Sequence, residues 1–228
     1  MRGIVLGDGD RPTREALDGV WPGWDGGVEV VVAADGGAVL GDELGLELDA
    51  WVGDGDSLSA AAIAELERRG VPVLRAAVDK DESDTELAVA AVVRLGATDV
   101  TLLGALGGRR LDHTLANIGL LAHPALVRCE ARLLDATTRV TLLDAPGPDG
   151  NAVRRSFAGR AGDVVSLLPW GDRAVGITTE GLRYPLRDEP LEAGPARGLS
   201  NVRERSQASV TIRSGRLLVV ESAATLKP

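Results

Sequence analysis

Short runs that are apolar along their whole length recur through the first half of the chain, and a helical stretch follows most of them. Ile4-Val5-Leu6, Val28 to Ala34 (Glu29 apart), Ala50-Trp51-Val52, Val71 to Leu74 and Val100 to Leu103 (Thr101 apart) are such runs. A strand with one wet face alternates polar and apolar residues, whereas one with no polar face is covered on both sides. Helices are predicted over Thr13 to Val20, Ala60 to Arg69, from Ser83 to Leu95, and Asp112 to Ala122. Ser59 and Ser83 stand where N-caps are needed, and Glu86 completes a capping box with Ser83. Strand and helix in alternation imply an α/β fold built on a parallel sheet. In such a sheet ligands bind beyond the carboxyl ends of the strands.

The residues at those ends are acidic and glycine-rich. Gly7-Asp8-Gly9-Asp10 follows the first strand and reads as a strand-to-helix turn. Asp35-Gly36-Gly37 follows the second, and Gly53-Asp54-Gly55-Asp56-Ser57 the third. Asp79-Lys80-Asp81-Glu82-Ser83-Asp84 crowds four carboxylates into six positions, where they repel unless a cation sits among them. Gly104 to His113 adds Gly107-Gly108-Arg109-Arg110 ahead of a helix start, a setting that favours anions. Arginine forks match phosphate oxygens, and Mg²⁺ usually takes one or two carboxylates together with substrate phosphates. A metal-bound polyphosphate suits this set. Neither a Walker-type phosphate loop nor a Gly-x-Gly-x-x-Gly fingerprint is present.

Composition narrows the partners. The formal net charge of −9 argues against nucleic acid, which basic surfaces bind. Aromatics are only 3 %, so the core must be aliphatic. The single cysteine, Cys129, excludes an internal disulfide, and a reducing cytosol is the expected setting. No apolar run approaches the roughly 18 residues of a membrane span. Lys80 is one of only two lysines.

The pattern changes after Pro146-Gly147-Pro148-Asp149-Gly150-Asn151. Beyond it, Val164 to Leu168, Val175 to Thr179, Val210 to Ile212 and Leu217 to Val220 are short strands between Gly and Pro turns, with no helix predicted. The expectation is an α/β domain over 1–145, Rossmann-like with a parallel sheet, and a small all-β sandwich over 151–228.

Taken in order and spacing, these segments resemble the thiamine pyrophosphokinase family. The resemblance rests on Ala34 to Ala38, Gly53 to Ser57, Asp79 to Asp84, Gly104 to His113, Thr178-Thr179-Glu180-Gly181-Leu182-Arg183-Tyr184, and Gly198 to Asn201. It implies transfer of a diphosphate group from ATP to thiamine in a cytoplasmic homodimer, with a β-sandwich after the α/β domain. Asp54, Asp56 and Asp84 would surround Mg²⁺, with Asp35 and Gly36 close by. Lys80, Ser83, Gly108, Arg109, Arg110, Asp112 and His113 would serve the nucleotide phosphates. Tyr184 would stack on the thiamine pyrimidine across the dimer, and Ser200 and Asn201 would line its pocket. Two departures stand out. The family's Gly-Gly-Arg-x-Asp-His spacing is one residue shorter than Gly107 to His113, so Arg109 or Arg110 could be the family arginine. Val202 replaces an acid that often follows Asn201.

The implied reaction has the thiamine hydroxyl attack the β-phosphorus of ATP while AMP leaves. Asp84 and Asp56 are alternatives for the proton acceptor, and Asp112 joins them as a candidate catalytic acid. Two other readings fit the same residues: a diphosphokinase acting on another hydroxymethyl heterocycle such as a pterin, or a nucleotide- or thiamine-binding protein without catalysis.

Overall fold

The computed structural model describes residues 1–55, 57–77, 79–147 and 149–224, so Asp56 lies outside the described residues. The chain divides into two compact units, Met1–Ala136 and Thr137–Pro228. It is a mixed α/β protein.

The first unit alternates strand and helix in chain order: β1 (Arg2–Leu6), α1 (Arg14–Val20), β2 (Val28–Ala34), α2 (Gly37–Leu44), β3 (Ala50–Gly53), α3 (Ala60–Arg68), β4 (Val73–Arg75), α4 (Asp84–Arg94), β5 (Asp99–Leu103), α5 (Leu111–Gly119) and β6 (Glu130–Leu134). The strands lie in the order β6-β5-β1-β2-β3-β4, and all their pairings are parallel. β1 and β2 lie inside the sheet, and Ile4, Val5, Leu6, Val32 and Ala33 are fully buried. Helix α4 packs on β1, β2 and β3, and α2 on β1 and β2. From β1 the chain steps one way through β2, β3 and β4, then returns to place β5 on the other side of β1. That reversal sets the turn after β1 beside the loop after β5, at the carboxyl ends of the strands where ligands bind in such sheets.

Several details depart from expectation. β4 starts at Val73, later than the predicted Val71, and Leu74 is 43 % exposed because the strand is an edge. Helix α5 gives way at Leu120 to a single 3-10 turn. α2 and β6 were not anticipated: Gly37 and Gly41 weaken the helical pattern of α2, and β6 carries Glu130 and Arg132 in an apolar setting. Ser83 caps α4 through the Glu86 amide at 3.1 Å, but the Glu86 carboxylate lies 3.3 Å from His123 Nε2. Only half of the capping box forms.

The second unit is all-β apart from short 3-10 turns. Its strands are β7 (Thr138–Ala145), β8 (Val153–Ala158), β9 (Val164–Pro169), β10 (Ala174–Glu180), β11 (Arg187–Leu191), β12 (Asn201–Val202), β13 (Gln207–Ile212) and β14 (Gly215–Ser222). β12-β9-β14-β7 pair antiparallel, and so do β11-β10-β13-β8. Leu143, Val165, Leu217 and Val219 from the first set share one core with Phe157, Ile177, Val210 and Ile212 from the second. β7 pairs with β14 along its whole length and so belongs with this unit.

One ion pair is sealed inside this unit. The Arg203 side chain is 0 % exposed and Glu221 3 %. Arg203 Nη2 donates to Glu221 Oε1 at 2.6 Å and Nη1 to the Phe157 carbonyl at 2.8 Å. Its guanidinium carbon stands 4.8 Å from the Phe157 ring centre. Burial pulls the Arg203 pKa down, against the charge of Glu221. Glu221 also accepts from Arg139 Nε at 2.6 Å and Nη2 at 2.7 Å, so it is removal of Glu221 that strands a charge, the buried Arg203. Glu221→Ala is therefore expected to lower the unfolding free energy by about 3–5 kcal/mol in urea titrations. A loss under about 1 kcal/mol, the range of an exposed pair, would contradict this.

Candidate active site

Four loops meet at the carboxyl ends of the first unit's strands, and missing β-carbons let them meet. The Gly7 amide donates to Leu103 O at 2.8 Å, Gly9 to Gly104 O at 2.6 Å, and Asp10 to Leu106 O at 2.9 Å. The turn after β1 is thereby laced to the loop after β5. A β-carbon on Gly104, whose φ is +63°, would lie 2.4 Å from Gly7 O; only glycine fits there. On the other side, a β-carbon on Gly36 would meet Asp8 Oδ1 at 2.2 Å, and one on Gly53 would meet Asp35 Oδ1 at 2.2 Å. The acids nest in space that glycines leave open. Asp35 itself has φ +47°, uncommon for a residue with a side chain. Its carbonyl accepts from Trp51 Nε1 at 2.9 Å and its amide donates to Val52 O at 3.0 Å, which holds it there.

These loops and the starts of α4 and α5 enclose a cleft of about 950 Å³, within the range of small-molecule sites. Asp8, Arg11, Asp35, Ser83, Asp84 and Gly107 to Arg110 line it, with Asp112, His113 and Asn117.

Lys80 turns into the acids. Its Nζ lies 2.8 Å from Asp84 Oδ1, and the two side chains are 13 % and 17 % exposed. The hydrogen bond to Asp84 raises the lysine pKa above 10.5; burial opposes it, and the charges of Asp84, Asp54 and Asp35 add to it. One ammonium thus shares the field of three carboxylates. Asp84 occupies the first turn of α4 just after the Ser83 cap, where the helix dipole also favours an acid. Among the described residues no three His, Cys, Asp or Glu side chains form a ready metal cage. The donor chemistry fits Mg²⁺ nonetheless: the available ligands are hard carboxylate oxygens, and they already accommodate a cation.

The loop before α5 presents the opposite sign. Gly107 and Gly108 have φ of +69° and +80°. Thr114 Oγ1 donates to Gly107 O at 2.8 Å and Asn117 Nδ2 to Ala105 O at 2.9 Å, so the helix holds its own entry loop. Arg110, the N-cap of α5, makes no side-chain capping bond. Its fork is committed to Asp112, with Nε 3.2 Å from Oδ1 and Nη2 on Oδ2. That pairing holds the Asp112 pKa below its ordinary value, which weakens Asp112 as a base. Among the described residues no carboxylate pairs with Arg109.

In the second unit, the Asn201 side chain clamps the backbone of Tyr184. Its Oδ1 accepts from the Tyr184 amide at 3.0 Å, and its Nδ2 donates to the Tyr184 carbonyl at 2.7 Å. Asn201 is buried, whereas Tyr184 is 63 % exposed. The amide of Ser200, a residue at φ +57°, donates to Ser166 Oγ at 3.1 Å. Of the predicted residues, Asp35, Ser83, Asp84, Gly108, Arg109, Arg110, Asp112 and His113 line one cleft; Lys80 pairs with Asp84, Asp54 adds to the field on Lys80, and Gly36 packs against Asp8. Tyr184, Ser200 and Asn201 form a separate cluster. Sequence reasoning missed Arg11, Thr114 and Asn117, whose roles depend on loop crossings rather than on a local pattern.

Known proteins carry the same two-part organisation. Residues 25–133 match the family model described as thiamin pyrophosphokinase, catalytic domain, and residues 153–217 match thiamin pyrophosphokinase, vitamin B1 binding domain. A thiamine pyrophosphokinase of Bacillus subtilis is 24 % identical over 170 residues, 75 % of this chain and 76 % of that protein. Thiamine pyrophosphokinase 1 of Oryza sativa is 27 % identical over 169 residues, 72 % of this chain and 62 % of its own length. The fold matches the B. subtilis crystal structure with a TM-score of 0.80 at 20 % identity, covering 98 % of this chain and 99 % of that one. It matches the thiamin pyrophosphokinase of Candida albicans at 0.77 and 16 % identity, covering 97 % and 89 %.

The raised Lys80 pKa sets a pH signature. A base whose folded pKa is raised stabilises fully below its unfolded value and loses that contribution as pH climbs through the folded one. Lys80→Met is expected to lower Tm by about 2–4 °C. The gap from wild type should stay level up to about pH 10.5 and shrink above it. A gap that closed already between pH 7 and 9 would contradict the pairing.

Proposed function

The chain belongs to the thiamin pyrophosphokinase family, and we propose on that premise that it transfers the diphosphate group of ATP to the hydroxyl of thiamine, releasing AMP. The observation that carries this reading is one cleft with opposite charges on two walls. Carboxylates gather around Lys80 on one side, and the Gly107 to Arg110 loop stands at a helix start on the other. A metal-bound polyphosphate needs both.

In this reading Asp54, Asp56 and Asp84 hold Mg²⁺, with Asp35 beside them. When bound, the ion supplies neutralisation of phosphate charge. The chain's own residues orient the reactants. Arg109 and the amides of the first turn of α5 bind phosphate oxygens, with Gly36, Ser83 and His113 near the nucleotide; the Gly108 amide is taken by Asp10 Oδ1 at 2.9 Å, so Gly108 shapes the loop instead. Arg110 serves instead to hold Asp112, and Asp112 acts through that pair rather than as a base. Lys80 keeps the acids together before substrate arrives. The thiamine hydroxyl oxygen bonds to the β-phosphorus as the bond from that phosphorus to the AMP oxygen breaks. The hydroxyl proton passes to Asp84 or Asp56. Positioning and charge stabilisation account for most of such catalysis.

The second unit would recognise thiamine. Tyr184 projects from a backbone fixed by Asn201, with Ser200 next to it, and stacks on the pyrimidine. We further propose a Rossmann-like winding for the parallel sheet, a sandwich for the two antiparallel sheets, a homodimer that completes the thiamine pocket, and residence in the cytoplasm. Among the described residues no helix is long and apolar enough to cross a membrane.

Incubation with ATP, Mg²⁺ and thiamine should yield AMP and thiamine diphosphate in equal amounts by chromatography, and formation of ADP instead would contradict the reading. Asp84→Asn should cut kcat by roughly 10²–10³-fold, the scale of losing a charge-stabilising group. Tyr184→Ala should raise KM for thiamine about tenfold, the loss of one good aromatic stack, and leave KM for ATP unchanged. Wild-type kinetics in either variant would remove that residue from the site.

A further inference from the structure

Two left-handed glycines in a row give Gly107 and Gly108 no regular backbone pattern to hold them, so their geometry must be imposed from outside. The turn after β1 imposes it. Asp10 Oδ1 accepts the Gly108 amide at 2.9 Å, and the Asp10 amide donates to Leu106 O at 2.9 Å. A β-carbon on Gly107 would stand 1.9 Å from Asp10 Oδ2, so the carboxylate lies directly over that glycine. Through main chain and side chain together, Asp10 spans three consecutive loop residues ending one position before Arg109. Thr114 holds the same loop from the helix side through Gly107 O. Asp8, two residues earlier, faces elsewhere, toward Gly36 and Arg11.

We propose that Asp10 is a positioning residue for nucleotide binding: its carboxylate sets the Gly107 to Arg110 loop in the shape that receives the phosphates of ATP. This rests on the proposed reading of that loop as the phosphate contact. Asp10 need not touch the nucleotide. It acts by fixing the path into Arg109 and into the first turn of α5, where a displacement of an ångström weakens phosphate contacts strongly. Charge is secondary to the acceptor oxygen, so an amide of the same shape should substitute.

The test compares wild type, Asp10→Ala and Asp10→Asn in steady-state assays, varying ATP and thiamine separately, together with exchange of the Gly108 amide by NMR without nucleotide. Asp10→Ala should raise KM for ATP about tenfold, the loss of one charge-assisted hydrogen bond, with KM for thiamine within about twofold of wild type. Asp10→Asn should return KM for ATP to within about threefold. The Gly108 amide should exchange about tenfold faster in Asp10→Ala and near the wild-type rate in Asp10→Asn. Should Asp10→Ala not fold, Asp10→Ser, whose side chain is too short to reach Gly108, replaces it with the same expectations. Unchanged KM for ATP, an unchanged Gly108 exchange rate, tighter ATP binding in Asp10→Ala, or an equal rise in both KM values would each overturn the proposal. If wild type releases no AMP, the functional reading fails instead, and the amide exchange still decides whether Asp10 holds the loop.

Discussion

Like charges brought together at the rim of a sheet repel, and the first unit is organised around that repulsion. At 4 Å two carboxylates near a protein surface oppose each other by about 4 kcal/mol. Asp35, Asp54 and Asp84 nevertheless bear on a single point, because each arrives at the end of a different strand or at the start of a helix. Lys80 occupies that point and is held charged by all three. Under the proposed function the same acids would take a metal ion along with the phosphates.

The arrangement depends on backbone as much as on charge. The reversal of strand order at β1 places the turn after β1 beside the loop after β5, and glycines at 7, 9, 104 and 107 let the two cross at hydrogen-bonding distance. Side chains at these positions would push the acidic and basic walls apart. The same economy of space appears at Gly36 and Gly53, where carboxylate oxygens fill the room of absent β-carbons. The cluster around Tyr184 in the second unit has a different footing: there a sealed Arg203–Glu221 pair stands two residues from Asn201, and Asn201 in turn fixes the backbone of Tyr184.

Much of this was legible in the sequence, for identifiable reasons. Strands such as Val28 to Ala34 are apolar on both faces from Val30 onward, which leaves a parallel sheet as the simple solution, and Ser59 and Ser83 mark helix starts through ordinary capping chemistry. The acids and glycines then fall at strand ends by counting alone. What escaped is what local pattern cannot carry. Helix α2 hides behind two glycines kept for close packing, and β11 holds Pro190 and three charges. Arg11, Thr114 and Asn117 acquire roles only through contacts between loops far apart in the chain. The engagement of Arg110 with Asp112 likewise leaves no mark in the local pattern that could separate it from Arg109.

The central claim is that the acids around Lys80 and the Gly107 to Arg110 loop receive one metal-bound polyphosphate between them. A crystal structure with Mg²⁺ and a non-hydrolysable ATP analogue tests it most directly. The account predicts the ion bound by Asp54 and Asp84 oxygens, with phosphate oxygens on Arg109 and the amides at the start of α5. An ion bound elsewhere, or a triphosphate lying away from both walls of the cleft, would contradict it.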